Sequence, residues 1–251
     1  MRLPYELDAE VGYRATLGLI VLQADETIEA DFRTLVPDRN IRVLLSRVEC
    51  IPEVTPESLP GMTRTLPQAA SLLPAEAGFG SVGYACTSGA TVLGEDAVAA
   101  LVASALPGVT VTNPLSAVKA ACRALGVDRI ALVSPYVEPV SQALRTSLAA
   151  GGIEVAAFGS FEQKEEKVVA RIAPQSVLDA LVGVGAARDC QAVFASCTNL
   201  RATPVLAEAE RQLGKPVLAS NQVLAWHMLR LAGVDAPLGV DGALSALPLK
   251  D

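Results

Sequence analysis

Histidine and aromatic residues are scarce in this 251-residue sequence, which has His227 as its one histidine and 4% aromatic residues. A Ser-His-Asp triad is therefore not expected, because its general base is a histidine. The cysteines are odd in number and form no Cys-x-x-Cys motif or Cys/His cluster, so we expect neither a disulfide framework nor a bound metal. Proton transfer near neutral pH must then use another group, and cysteine is a candidate. The cysteines are Cys50, Cys86, Cys122, Cys190 and Cys197.

Positive charge and long apolar runs are lacking as well. The net charge is −7, the isoelectric point is near 4.9, and no basic run is present, which disfavours a nucleic-acid partner because phosphate binding needs a basic face. No stretch approaches the roughly 18 consecutive apolar residues of a membrane-spanning helix. Residues 1–8 lack the apolar segment of a signal peptide. We therefore expect a cytoplasmic protein with no membrane partner.

Aliphatic residues make up most of the apolar content. The hydrophobic fraction is 51%, and a core of Ala, Val, Leu and Ile suits parallel strands covered by helices on both faces. Strands and helices alternate along the chain in two βα assemblies of similar length. The segment after the second predicted strand, which carries Pro52, Pro56 and Pro60, is predicted to be a loop or a lid over the cleft. The predicted strands cover 15–22, 40–48, 80–85, 109–112, 129–134, 153–158, 192–195 and 216–221.

Two cysteines occur in matching contexts in the two halves of the chain. Cys86 and Cys197 each end a short apolar run and precede small polar residues and a helical pattern. In a parallel α/β sheet, this position is the carboxyl edge, where a helix N-terminus follows a strand. Free backbone N–H groups and the helix dipole there favour a thiolate. We therefore predict that the two thiols are acid/base groups that face each other across a cleft.

The cysteine motifs also carry a family resemblance. The runs Tyr-Ala-Cys-Thr-Ser-Gly-Ala around Cys86 and Ser-Cys-Thr-Asn-Leu-Arg around Cys197 resemble the aspartate/glutamate racemase superfamily, in its maleate cis-trans isomerase and arylmalonate decarboxylase branch. The opening Gly-Leu-Ile-Val at 18–21 and the closing Ser-Asn-Gln-Val-Leu-Ala-Trp at 220–226 fit that branch, so the resemblance covers nearly the whole chain. Residues 22–29 more particularly resemble ectoine-utilisation proteins.

The resemblance implies an α/β fold of two pseudo-symmetric lobes, each a short parallel sheet flanked by helices, with the active site between them. We assign residues 1–113 and 219–251 to the first lobe and 114–218 to the second. The terminal strand and helix are expected to return to the first lobe. The resemblance also implies chemistry without a cofactor, on a small carboxylate or amino acid.

The number of cysteines separates the activities within this branch. In the racemases one thiolate removes the Cα proton and the other thiol returns one. In maleate isomerases the first cysteine adds to the alkene, and decarboxylases keep only the second cysteine. The presence of both Cys86 and Cys197 favours an isomerase or racemase. A decarboxylase that uses Cys197 alone and a non-catalytic small-molecule-binding protein stay open as alternatives, as does a homo-oligomer.

Further site residues follow from the same resemblance. Tyr136 matches the tyrosine that contacts substrate in maleate isomerases, although a tyrosine beside two prolines could instead close a loop. The expected donors to a substrate carboxylate or enolate are Thr87, Ser88, Thr198 and Asn199. Cys50, Cys122 and Cys190 are interpreted as packing residues.

Two positions depart from the maleate isomerase pattern. Asp25 and Glu166 stand where those enzymes have substrate-binding asparagines, although a helix cap is the simpler interpretation of Asp25 and a solvated loop that of the 162–167 charge run. Two carboxylates in the cleft would repel a dicarboxylate by several kcal/mol and attract an ammonium group. We therefore expect an amino-acid derivative as substrate, such as a 2,4-diaminobutyrate-type intermediate of ectoine breakdown, in preference to maleate.

Overall fold

The computed structural model describes residues 1–50 and 61–250. The predicted loop or lid at 52–60 lies outside the described residues. Eight strands form two four-stranded parallel sheets. The strands are β1 (Ala15–Leu22), β2 (Ile41–Val48), β3 (Ser81–Ala85), β4 (Val111–Thr112), β5 (Arg129–Tyr136), β6 (Glu154–Gln163), β7 (Ala192–Ala195) and β8 (Val217–Ala219).

Ten helices pack around these sheets in the described part of the chain. They are α1 (Ile28–Leu35), α2 (Met62–Ser71), α3 (Thr87–Leu93), α4 (Glu95–Ala103), α5 (Pro114–Leu125), α6 (Glu138–Ala150), α7 (Glu166–Val169), α8 (Pro174–Gly185), α9 (Leu206–Leu213) and α10 (Ser220–Leu231). None of these helices has the length and apolar character that crossing a bilayer requires.

The two sheets repeat one strand order. The first is arranged β2-β1-β3-β4 and the second β6-β5-β7-β8, so β3 and β7 hold the same place in their sheets. Every residue of both strands is buried. This arrangement confirms the predicted α/β class with two pseudo-symmetric sheets. Because Cys86 follows β3 directly and Cys197 follows β7 after Ser196, both thiols lie at carboxyl edges, where open α/β sheets bind ligands.

Local sequence signals explain where several helices begin and end. The Asn113 side chain accepts hydrogen bonds from the N–H groups of Leu115 and Ser116, and Pro114 occupies the first turn of α5, where its missing N–H costs nothing. Gly126 ends α5 in the left-handed conformation. Gly94, at φ 88°, separates α3 from α4, so the helix predicted over 94–106 is preceded by another that starts directly after Cys86.

Three expectations about the second half of the chain were wrong. The terminal strand β8 pairs with β7 in the second sheet and does not return to the first, although α10 does pack on β3 and α1. Strand β5 continues through Tyr136, which is therefore not in a loop, because its backbone pairs with β6 at Gln163. The charge run at 162–167 contains the end of β6 and the start of α7. The lobe boundaries at 113 and 218 stay a prediction.

Candidate active site

Cys86 lies at the N-cap of α3, at the end of the buried strand β3. Its sulfur accepts a hydrogen bond from the N–H of Gly89 at 3.1 Å, and its side chain is nearly fully buried. A Cβ at position 89 would lie 2.9 Å from this sulfur, so only glycine allows the close approach of the helix to the thiol. Thr87 and Ser88, both expected as substrate donors, are buried beside it.

Cys197 has a strained backbone. Its φ of 107° is in a region that residues with a side chain rarely occupy, and such strain is concentrated at functional sites. The sulfur accepts the N–H of Asn199 at 3.2 Å and lies 2.9 Å from the Tyr136 hydroxyl. The backbone N–H of Cys197 donates to the Ser220 hydroxyl at 2.9 Å. These contacts fix the direction in which the thiol projects from the end of β7.

Hydrogen bonds join the Cys86 loop to the Cys197 loop. The Ser220 hydroxyl, which already binds the Cys197 N–H, also lies 2.9 Å from the Thr87 hydroxyl. The Thr198 hydroxyl donates to the carbonyl of Ala85 at 3.4 Å. Thr198, next to Cys197, therefore touches Ala85, next to Cys86, and Ser220 links Thr87 to the backbone of Cys197, so the two sheet edges meet at one place.

A buried carboxyl group connects the remaining residues of the second lobe. The Tyr136 hydroxyl donates to Glu166 Oε1 at 2.6 Å, and the Asn199 amide donates to Glu166 Oε2 at 2.7 Å. The Asn199 side-chain oxygen accepts the N–H of Glu26 at 2.9 Å, which ties this network to the first lobe. Glu166 is only 3% exposed, so the interpretation of its charge run as a solvated loop was wrong for this residue.

The two carboxyl oxygens of Asp25 have different surroundings. One carboxyl oxygen, Oδ1, accepts the N–H groups of Thr27 and Ile28 at 2.9 Å and so caps the start of α1. The other, Oδ2, is buried and has no hydrogen-bond partner among the described residues. The Thr198 hydroxyl lies near enough to lower the pKa of Asp25 but donates to a backbone carbonyl. Because buried polar atoms are nearly always paired, this oxygen is a candidate contact for a ligand.

Burial determines the electrostatics of the site. It raises the pKa of Asp25 and of Glu166, and hydrogen bonds to each carboxylate only partly oppose it. Burial, together with a smaller contribution from the nearby Glu166 charge, also raises the pKa of Cys86 to about 12 and that of Cys197 well above its ordinary value. The expectation that a helix N-terminus would favour both thiolates was therefore wrong. Loss of hydration outweighs the N–H contacts at both sulfurs, and the first helical turn after Cys197 begins only at Thr203.

The predicted site residues are thus brought together, but some donors are already engaged. The side chains of Thr87, Thr198 and Asn199 bridge loops or bind Glu166. The guanidinium of Arg47 donates to the backbone carbonyl oxygens of Leu22, Gln23 and Asp25, the last at 3.1 Å. Within the described residues, no three His, Cys, Asp or Glu side chains are grouped to hold a metal ion.

Sequence reasoning missed three residues of this region. Ser220 bridges the two cysteine loops, and its signal was its place in the closing motif at 220–226. Tyr84 lies beside Cys86 and precedes it by two positions. Cys50, interpreted as a packing residue, is half-buried, and after burial the charges of Glu166 and Asp25 raise its pKa, which places this third thiol near the same carboxyls.

Comparison with known proteins decides the family. The family model for arylmalonate decarboxylase matches residues 17–244, which is nearly the whole described chain. The chain belongs to the arylmalonate decarboxylase family. Among relatives, it is 30% identical to arylmalonate decarboxylase of Bordetella bronchiseptica over 224 residues, covering 87% of this chain and 90% of the relative. It is 27% identical to a maleate isomerase of Nocardia farcinica over 237 residues, covering 90% and 93%.

Solved structures of the arylmalonate decarboxylase family have the same fold. A maleate isomerase from Pseudomonas putida S16, crystallised with maleate, superposes with a TM-score of 0.83 at 22% identity and covers 94% of this chain and 99% of that one. A liganded arylmalonate decarboxylase variant, with one glycine changed to cysteine and one cysteine to serine, superposes with a TM-score of 0.82 at 29% identity, covering 92% and 98%.

Membership of the arylmalonate decarboxylase family establishes the coarse function. The relatives are isomerases and a decarboxylase, so this chain is an enzyme of a family with cysteine-dependent catalysis. One isomerase of the family was captured with a succinylcysteine intermediate. The comparisons support this branch of the superfamily but not the narrower resemblance to ectoine-utilisation proteins.

Proposed function

We propose that this protein is a cofactor-independent isomerase in which Cys86 and Cys197 act from opposite sides on a small carboxylic acid that carries an ammonium group. The observation that supports this proposal best is the equivalence of the two thiols. Each follows the third strand in the order of its sheet, and each accepts a hydrogen bond from a backbone N–H two or three residues later. An enzyme that needed one thiol would have no use for this repetition.

The reaction follows from two thiols on opposite faces of one carbon. A thiolate at Cys86 takes the Cα proton. The electron pair of the broken Cα–H bond then delocalises into the substrate carboxyl group, which gives an enolate. The Cys197 thiol then gives its proton to the other face, which inverts the centre and leaves Cys197 as the thiolate. Atoms and charge balance without a redox partner. Buried donors around the carboxyl group stabilise the enolate as it forms.

The substrate class follows from the two buried carboxyl groups. Asp25 has an oxygen without a partner, and Glu166 lies close enough to both thiols to raise the pKa of each. A bound ammonium group stabilises the ionised carboxylates and offsets the desolvation that keeps the thiols protonated. A second substrate carboxylate does the opposite. An amino acid or amino-acid derivative therefore fits better than maleate, and 2,4-diaminobutyrate is the first compound to assay.

A direct test is hydrogen exchange at Cα. The enzyme is incubated with candidate amino acids in deuterated water, and loss of the Cα proton signal is followed by NMR. We expect Cα exchange with inversion of the centre in wild type, and loss of the inversion in both Cys86→Ala and Cys197→Ala. Turnover of maleate with no exchange in any amino acid would overturn the ammonium proposal.

The second candidate function is decarboxylation of a malonate-type acid, which the 30% identity to a decarboxylase favours. The same variants separate the two functions. Decarboxylation needs Cys197 alone and should survive Cys86→Ala. A protein that only binds small molecules would show neither reaction.

A further inference from the structure

Tyr84 is a fully buried tyrosine whose hydroxyl lies beside the Cys86 thiol. It is the penultimate residue of β3, two positions before the cysteine. A Cβ at Gly89 would lie 2.4 Å from the Tyr84 hydroxyl oxygen and 2.9 Å from the Cys86 sulfur, so both atoms crowd the same point on α3. Burial raises the pKa of both groups, and the closeness of the two side chains lowers that of Cys86 and raises that of Tyr84.

The hydroxyl proton of Tyr84 is held by a weak acceptor. Tyr84 donates to the thioether sulfur of Met62 at 2.8 Å, and a thioether is among the weakest acceptors in proteins. A thiolate is a charged and much stronger acceptor. Once Cys86 loses its proton, the O–H group of Tyr84 therefore forms a stronger hydrogen bond when it turns from Met62 to the sulfur of Cys86.

Cys197 has an equivalent partner in different surroundings. The hydroxyl of Tyr136 lies 2.9 Å from the Cys197 sulfur but also donates to Glu166 at 2.6 Å. A carboxylate is a strong acceptor, so the Tyr136 hydroxyl is divided between Glu166 and Cys197. Within the described residues, the competing acceptor of the Tyr84 hydroxyl is the weak thioether of Met62, which makes Tyr84 the better partner for the cysteine that starts the reaction.

We propose that Tyr84 is a positioning residue whose O–H group donates a hydrogen bond to Met62 in the resting enzyme. When the Cys86 thiolate forms, the same O–H group turns and donates its hydrogen bond to the Cys86 sulfur. The inference deepens the proposed function, since it rests on Cys86 acting as a thiolate. The titratable groups that act on this thiol are Glu166, Cys50 and Tyr84 itself, and Tyr84 alone among them favours its ionised form.

The test measures thiolate formation without any substrate. Wild type, Tyr84→Phe and Met62→Leu are treated with limiting iodoacetamide across a pH series, and labelling of the Cys86 and Cys197 peptides is read by mass spectrometry. Loss of the hydroxyl should raise the pKa of Cys86 by about one unit, a tenfold fall in thiolate. The remaining thiolate is more nucleophilic, so Cys86 labelling should fall about threefold. Labelling of Cys197 in the same molecules is the internal control and should not change.

Met62→Leu distinguishes the proposal from a purely structural role. It keeps the volume but removes the competing acceptor, so the hydroxyl is freed for Cys86 and labelling should rise. A residue that only fills the core would lower labelling, or leave it unchanged, in both variants. Unchanged Cys86 labelling in Tyr84→Phe overturns the proposal. If that variant does not fold, the result for Met62→Leu decides alone: a rise supports the proposal, and no rise overturns it. Absence of Cα exchange in wild type would overturn the proposed function and leave the labelling result standing.

Discussion

Replacement of Asp25 by asparagine should reverse the charge preference of the cleft while keeping its shape. The asparagine oxygen can accept the N–H groups of Thr27 and Ile28 as the aspartate does, so the cap of α1 is retained. Its amide nitrogen takes the place of the oxygen that has no partner in the wild type. The change therefore removes one negative charge and adds a donor that faces the ligand.

The size of the effect is limited by two competing costs. A substrate carboxylate about 4 Å from an ionised Asp25 is repelled by about 4 kcal/mol at an effective dielectric near 20. Protonation of Asp25 avoids that repulsion at a cost of about 1.4 kcal/mol for each unit by which the pH exceeds its pKa. Because burial raises the pKa of Asp25, protonation costs less than the repulsion and limits how far the substitution can improve maleate binding. We expect Asp25→Asn to tighten maleate binding by about tenfold and to weaken binding of an amino acid by at least about tenfold.

Titration calorimetry with maleate and with 2,4-diaminobutyrate near neutral pH measures both changes. Asp31→Asn is the matched control, because Asp31 is also buried with a raised pKa, but its Oδ2 already accepts hydrogen bonds from Thr203 and Asn221 at 2.7 Å. It should lose stability and keep the ligand ratio. Equal ratios in wild type and Asp25→Asn would refute the assignment of Asp25 to the cleft wall.

The same variant tests the sign of the pKa shift. A carboxyl group whose pKa is higher in the folded state binds protons more readily when folded, so its contribution to stability is full below its unfolded pKa. That contribution is lost as the pH rises from about 4 through the raised pKa. Wild type should therefore lose stability across this range, and Asp25→Asn should lose less. Thermal unfolding across a pH series measures the difference, and parallel curves would contradict the raised pKa.

Two further substitutions test the packing around the thiols. Gly89→Ala places a methyl group 2.4 Å from the Tyr84 hydroxyl, so we expect loss of most activity and about 1–3 kcal/mol of unfolding free energy, measured by urea denaturation; wild-type activity would mean that α3 shifts freely. Tyr136→Phe removes the donor to Glu166 and the hydroxyl next to Cys197, so kcat should fall by about tenfold or more and the pH at which activity rises should increase. An unchanged pH profile would exclude a role for this hydroxyl in the ionisation of Cys197.

The sequence was sufficient to predict the sheets and the two cysteines. Buried parallel strands are continuous apolar runs, and a cysteine that ends such a run must lie at the carboxyl edge. The same local pattern could not assign β8, because its place is set by pairing with β7 and not by its own residues. Likewise, nothing in the charge run at 162–167 indicates which carboxylate points inward, since its partners Tyr136 and Asn199 are some 30 residues away.

Ionisation is the least local property of the site. Reasoning from helix N-termini alone predicted thiolates, and each sulfur does accept a hydrogen bond from a backbone N–H. What it could not include is the loss of water around both sulfurs and the buried charge of Glu166, which dominate in the folded chain. The direction of that error is informative for function, since burial raises the pKa of both thiols and of both neighbouring carboxyl groups together.

The charge of the bound substrate acts on all the buried acids of the site together. Four buried acids, namely Asp25, Glu166, Cys86 and Cys197, all have raised pKa values for the same reason, which is desolvation. A single positive charge placed among them lowers all four pKa values, so a substrate ammonium group would itself promote ionisation of the thiol that reacts with it. An anionic substrate would need the opposite, a neutral cleft wall with amide groups in place of these carboxyls. Two side chains would then set the choice of substrate, while the paired sheets that position the sulfurs stay the same.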